Sequence, residues 1–198
     1  MNRRLPHILL VLLAVLTIWS GISPHDEQVW WTEMSSVFLL VGALVCTFRR
    51  FRFSDTAYAC MGLWCAMQIV GAHYTFEFVP FGAITDLFGF ERNHYDRVAH
   101  FAVGLGGIAI AELLWRQRIV NSVSTAAWFS LVFILALAGL WELVEWIYAE
   151  IDGGTAGQAF LGSQGDEWDA HKDMLLDTLG GALAALIFYQ QNHRHHLR

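Results

Sequence analysis

The sequence predicts an all-α, polytopic membrane bundle of about six transmembrane helices with both termini cytoplasmic. Three observations carry that reading. The 198 residues are 56% hydrophobic, with nine Trp and a mean hydropathy of +0.42, which is too apolar for an ordinary soluble domain. Apolar stretches recur at lengths close to the roughly 20 helical residues that span a bilayer core. Basic residues cluster at alternate ends of those stretches.

The first span is Leu5–Ile22, preceded by Arg3 and Arg4. A basic start and an apolar core also suit a signal peptide, but no A-x-A-like site follows and Pro24 succeeds the nearest small residues, so the segment reads as an uncleaved span. Span 2, Val29–Phe48, runs into Arg49, Arg50 and Arg52, and span 3 is Thr56–Ala72. Cys46, Cys60 and Cys65 fall within these two spans and form no C-x-x-C pair, so neither disulfides nor thiolate metal sites are expected. Span 4, Val98–Trp115, ends at Arg116 and Arg118; span 5 is Thr125–Tyr148; span 6, Met174–Gln190, precedes Arg194 and Arg198.

Lys and Arg near span ends are retained in the cytoplasm. The opposite ends hold only Arg92, Arg97 and Lys172 among many acids, so the acidic loops are expected outside. The net charge of −6 averages a basic inner face and an acidic outer one, which argues against nucleic acid as a partner. With no repeat of 20 to 50 residues and no linker-like stretch, residues 1–198 read as a single integral-membrane domain.

Two long loops fall on the outer side. In "HYTFEFVPFGAITDLFGFERNHYD" the aromatics suit the headgroup boundary, and an interfacial position is expected. "EIDGGTAGQAFLGSQGDEWDA" is Gly-rich without the spacing of a phosphate loop. "GDEWDAHKDMLLD" fails as a calcium loop, because Trp168 and Ala170 stand where acids or amides belong and His171 replaces the turn glycine.

Three polar clusters converge at one depth. In "NHYDRVAHF", Asp96 and His100 are four residues apart and share a helix face. In "WELVEW", Glu142 and Glu145 are three apart, with Glu142 roughly 9 Å inside the end of span 5 at a 1.5 Å rise per residue. Asp169, Asp173 and Asp177 are spaced by four, forming a stripe that enters span 6, with Asp166 in the loop before it. Ionised carboxylates at such depth are costly unless paired, protonated or bound to a cation. Carboxylate oxygens with imidazole suit a divalent ion, with zinc, manganese, magnesium and iron all compatible. The competing structural explanation is stabilisation of acids by the helix dipole, with Arg97 pairing to Asp96 or a neighbouring helix and Lys172 to Asp169 or Asp173. Glu112 and Asp55 read as interfacial, Gln68 as interhelical glue, the glycines of spans 4 and 6 as close-packing positions, and His193, His195 and His196 as a solvated tail.

"HYDRVAHF", "WELVEW" and "GSQGDEWDAHKDM", with the six-span layout, resemble the YjdF-like family of bacterial inner-membrane proteins, a family of uncharacterised function. The resemblance implicates His94, Asp96, Arg97, His100, Glu142, Glu145, Gln164, Asp166, Asp169 and Asp173; Asp177 falls outside these motifs. It implies a fold and a site but no reaction.

The leading expectation is a metal-dependent hydrolase acting on a lipid or lipid-linked substrate at the outer leaflet. His100, Glu142, Glu145 and Asp173 would hold the cation, which would acidify a bound water. Asp169 or His94 would move protons, and Arg97 or Lys172 would hold an anionic headgroup. The alternatives are a small cation-binding protein or transporter, and a structural or partner-binding membrane protein. Oligomeric state is left open.

Overall fold

The computed structural model describes residues 4–152 and 154–193. Arg3, Arg194, Arg198, His195 and His196, which enter the charge argument above, lie outside the described residues. The described residues are all-helical: α1 (Leu5–Ser20), α2 (Glu27–Thr47), α3 (Asp55–Tyr74), α4 (Gly82–Phe88), α5 (Tyr95–Leu105), α6 (Gly107–Arg116), α7 (Val123–Asp152), α8 (Thr155–Leu161) and α9 (Asp169–Asn192).

Local chemistry sets the ends of these helices. Pro lies in the first turn of α1, where its missing N–H costs nothing. Asp26 caps α2 by accepting from Gln28 N at 2.8 Å and Val29 N at 3.0 Å, and Ser54 caps α3 by accepting from Ala57 N at 3.1 Å. Among the described residues, three helical stretches are long and apolar enough to cross a membrane: α2, the Tyr95–Arg116 stretch formed by α5 and α6, and Val123–Ile151 of α7. α1 is a shorter apolar helix of 16 residues. α3 and α9 run 20 and 24 residues but carry more polar side chains.

Element boundaries depart most from the hydropathy reading in three places. α7 continues past Tyr148, and α9 starts at Asp169 rather than Met174. Acids in a first helical turn are favoured by the dipole, so the helix begins among polar residues that a hydropathy window reads as loop. Span 4 is interrupted at Gly106, whose N–H bonds to Val103 O at 2.8 Å while its carbonyl accepts from Ala109 N at 3.0 Å. These i to i−3 bonds tighten the chain between α5 and α6.

α5 and α9 meet backbone to backbone. A Cβ on Gly104 would lie 2.2 Å from Asp177 O, and one on Gly180 would lie 2.2 Å from Phe101 O. Only glycine allows this approach, as expected of close-packing positions in membrane helices. α1, α2 and α3 enclose Trp30, Met34, Cys65 and Ile69. They are pinned at one end by Ser20, which accepts from Trp30 Nε1 and donates to Ile69 O, both at 2.8 Å. Toward the other end, Phe53, Tyr58, Met61, Ile108 and Ala184 form an apolar plug. Trp128, Phe129, Val132, Phe133 and Leu140 of α7 face outward, as a lipid-exposed helix requires.

Two features add to the sequence reading. Glu112, near the end of α6, is buried and accepts from Ser54 N at 2.9 Å and Arg116 Nη1 at 3.2 Å, tying the α2–α3 turn to α6. The aromatic loop is only partly superficial. Phe78, Leu87, Phe88 and Phe90 are exposed, but Phe76 and Val79 are buried against Tyr95 and Ala99.

Candidate functional site

The glycine contact between α5 and α9 interlocks their polar faces. Asp96 and His100 lie on one face of α5, and Asp169, Asp173 and Asp177 form one stripe on α9. His100 Nδ1 is 2.9 Å from Asp177 Oδ2, and His100 Nε2 is 3.6 Å from Asp96 Oδ1. An ionised carboxylate only accepts, so with Asp177 ionised Nδ1 donates this bond. In the neutral imidazole Nε2 then offers its lone pair on the Asp96 side. One ligand atom each from Asp96, His100 and Asp173 lies within 4.8 Å of the other two. Asp173 and Asp177 each keep one buried oxygen without a hydrogen-bond partner among the described residues.

α7 supplies a further wall. Glu142 is half-buried, its Oε1 also lacks a hydrogen-bond partner, and it is within electrostatic reach of His100, Asp173, Asp96 and Asp177. Glu145 is buried and within reach of Glu142, Asp96, His100 and Glu33. Glu33 of α2 escaped the sequence reading. It is 3% exposed and accepts from Gln68 Nε2 of α3 at 2.7 Å, so Gln68 acts as the expected interhelical glue. The signal was present: Glu33 is the only charged residue in span 2, and an ionisable residue within a span calls for a partner or a role.

Above this acidic chamber lies a rim of ion pairs. Arg97 Nη2 binds Asp166 Oδ2 at 2.6 Å and Asp169 Oδ1 at 3.0 Å, and Arg97 Nε is 3.9 Å from Asp173 Oδ1. Arg92, which the sequence reading did not single out, pairs with Asp169 and donates to Ser163 O at 3.1 Å. Arg97 thus pairs across to the α9 side rather than with Asp96. Lys172 does not meet Asp169 or Asp173: it binds Asp166 Oδ2 at 2.6 Å. It sits off the inward stripe of α9 and is exposed, while Asp169 and Asp173 are buried. Gln164 accepts from Asn93 N at 3.1 Å and donates to Asn93 O at 3.0 Å.

These bonds strap the 162–168 turn onto the start of α5. A Cβ on Gly162 would lie 3.8 Å from Asp96 Oδ2, and Phe160 of α8 packs on Trp141 and Tyr148, so the loop between α7 and α9 covers the acidic cluster. Lys172 and then Arg97 hold the Asp166 carboxyl well below the ordinary carboxylate range. His94 stands apart from the three-ligand group, with its ring against Phe90. Burial, then the charges of Arg97 and Arg92, lower its pKa.

The motifs therefore converge in two tiers. Asp96, His100, Asp173 and Asp177 form the chamber with Glu142, Glu145 and Glu33, while Arg92, Arg97, Asp166, Asp169, Lys172 and Gln164 form the rim. Chemically, the chamber offers hard oxygens and one imidazole nitrogen, a donor set for a divalent cation. Asp177 then occupies the position of a carboxylate that orients a ligating histidine.

Residues 5–194 match the family model described as "Predicted membrane protein (DUF2238)". The chain is 35% identical over 188 residues to the inner membrane protein YjdF of Escherichia coli strain K12, covering 94% of this chain and 89% of that protein. No solved structure matches the chain. With helices suited to crossing a bilayer, these similarities make it a bacterial inner-membrane protein. By the match across nearly its whole length, the chain belongs to the DUF2238 family of predicted membrane proteins.

Proposed function

We propose that the chain is a metal-dependent hydrolase embedded in the membrane as one six-span unit, with both termini cytoplasmic, acting on a lipid or lipid-linked substrate at the outer face. The observation that carries this reading is the group of Asp96, His100 and Asp173, with ligand atoms mutually within 4.8 Å beside buried carboxylate oxygens that have no hydrogen-bond partner. A cation there answers the cost of several acids in one low-dielectric chamber. The orientation follows from Arg4, Arg49, Arg50, Arg52, Arg116 and Arg118 gathering at one set of helix ends.

In this reading Asp96, His100 and Asp173 would hold a divalent ion, Glu142 and Glu145 would complete its shell or act as a general base, and Asp177 would fix the imidazole. The chemistry such an ion would supply is the activation of water near neutral pH. Arg97 and Lys172 offer positive charge at the mouth for an anionic headgroup, and Asp169 holds Arg92 and Arg97 in place. His94, neutral at neutral pH, is available as a base at the rim.

A small cation transporter is the second reading. The buried apolar cluster of Phe53, Tyr58, Met61, Ile108 and Ala184 argues against it, because it lies toward the end of the bundle that a transported ion would have to reach.

The deciding experiment is metal analysis of gently purified wild-type protein beside Asp96→Asn and Asp173→Asn variants, followed by lipid profiling of cells with and without the gene. Stoichiometric metal in the wild type, lost in both variants, with a lipid species that accumulates only in the deletion strain, is the expected result. Absence of metal from all three proteins removes the hydrolase reading. Cation flux into sealed vesicles that depends on Glu142 and Glu145 would replace it with transport.

A further inference from the structure

At the end of the bundle opposite the acidic chamber, α1, α2 and α3 leave an apolar cleft of about 220 Å³. Its walls include Leu9, Leu13, Leu44 and Met61, and Leu10 and Val45 at its edge are exposed on the outer surface of the helices. The cleft therefore opens sideways, where a bilayer would present hydrocarbon. An apolar groove alone takes up any acyl chain, so specificity must come from polar groups at one end.

Such groups are present. Tyr58 lines the cleft at 6% exposure; the Phe53 main chain acts on its oxygen as a hydrogen-bond donor, and among the described residues no group accepts its O–H. A buried O–H without an acceptor is uncommon and marks a place where a ligand oxygen can bond. Arg52 and Arg116 act electrostatically on that hydroxyl. The Arg52 guanidinium lies 4.6 Å over the ring of Phe48, which itself lines the cleft and meets His7 edge-on at 5.3 Å. Arg49 and Arg50 are exposed one and two residues further on.

Apolar walls, a hydroxyl whose O–H has no acceptor and then several guanidiniums, in that order, match the order of parts in one molecule: acyl chain, ester or glycerol oxygen, phosphate. We propose that this cleft is a binding site for a single anionic phospholipid. One acyl chain lies between α1 and α2, Tyr58 donates to an ester or phosphate oxygen, and Arg52 with Arg49 or Arg50 holds the headgroup charge. Basic pockets between membrane helices recognise anionic headgroups in this manner. The site is independent of the cation chamber, and with the orientation proposed above it takes its lipid from the cytoplasmic leaflet.

The test uses full-length protein in detergent, with native mass spectrometry against phosphatidylglycerol and phosphatidylethanolamine. Wild type should retain one phosphatidylglycerol in preference to phosphatidylethanolamine. Arg52→Gln should weaken that retention about fivefold, the effect of one basic residue near an anionic headgroup. Tyr58→Phe should weaken it while leaving the melting temperature within a few degrees of wild type. Val45→Trp, placed at an exposed edge where it cannot disturb the core, should exclude the acyl chain. Equal retention of the two lipids by wild type, or retention of phosphatidylglycerol unchanged in Arg52→Gln and Val45→Trp, overturns the proposal. Metal content measured on the same variants should be unchanged, which separates this site from the chamber.

Discussion

His100 on α5 and Asp177 on α9 are joined by a 2.9 Å hydrogen bond between Nδ1 and Oδ2, across the point where their two helices touch through Gly104 and Gly180. The close approach of those helices at the two glycines brings the imidazole and the carboxylate within hydrogen-bond distance. If His100 ligates a cation through Nε2, Asp177 acts on the metal through the ring. Asp177→Asn should then lower metal affinity by roughly 10 to 100-fold while leaving stoichiometry at saturation unchanged. Isothermal titration of apo protein with zinc or manganese reads this directly. An Asp177→Asn protein that binds as tightly as wild type would make the pair a purely structural bond.

The same crossing predicts a stability effect with an internal control. Gly104→Ala would put a methyl group 2.2 Å from Asp177 O, which can be relieved only by separating α5 from α9. Overpacking of this kind costs about 1 to 3 kcal/mol, and the displaced Asp177 should also release His100. Gly42 on α2 has nothing within 4 Å of its Cβ position, so Gly42→Ala should be neutral or stabilise by up to about 1 kcal/mol through helix propensity. Thermal melts in detergent should show Gly104→Ala falling by several degrees while Gly42→Ala does not.

The rim carries a pH dependence. The Asp166 carboxyl is held below its ordinary value by Lys172 and Arg97, so its contribution is fully present above the unfolded carboxylate pKa of about 4 and is lost only as pH falls through the lower, folded value. Hydrogen exchange in the 162–168 turn, corrected for intrinsic rates, should stay slow from neutral pH to about 4 and rise below it. Lys172→Met removes the larger of the two cationic influences, so exchange in the turn should be faster at neutral pH and its acid-induced rise smaller, with the onset still near about 4. An acid-induced rise of wild-type size in Lys172→Met would mean that Arg97 alone holds the turn.

Much of this organisation was legible in the sequence because it is periodic. The i, i+4 spacing of Asp96 with His100 and of Asp169, Asp173 and Asp177 assigned each to one helix face before any coordinate was known, and the faces do meet. What was not legible depended on how helices pair. Lys172 was expected on Asp169 or Asp173 by proximity in sequence, yet one step off the stripe turns it outward to Asp166. Arg92 lies in a loop without periodicity, and its partners, Asp169 and the Ser163 carbonyl, are more than 70 residues away. Glu112 stands near a helix end, and its partner is set by tertiary structure: the α2–α3 turn uses its carboxylate as an acceptor. The break at Gly106 was hidden because a hydropathy window passes smoothly through glycine.

Glu33 separates charge from packing in the chamber. Its carboxylate accepts from Gln68 Nε2 at 2.7 Å, and it is within electrostatic reach of Asp96 and His100. Glu33→Gln keeps an oxygen that can accept from Gln68 and removes only the ability to ionise. Glu33→Leu removes the acceptor as well and leaves the buried Gln68 amide without its bond. The first variant should melt near wild type yet bind a divalent cation more weakly, on the order of tenfold, because a negative charge in a low-dielectric chamber adds attraction over several ångströms. The second should show the same weakening plus a loss of about 1 to 3 kcal/mol in stability, the cost of an unsatisfied buried polar group. Should Glu33→Gln bind metal as wild type does while Glu33→Leu is destabilised, Glu33 serves only to join α2 to α3, and the cation site is confined to α5, α7 and α9.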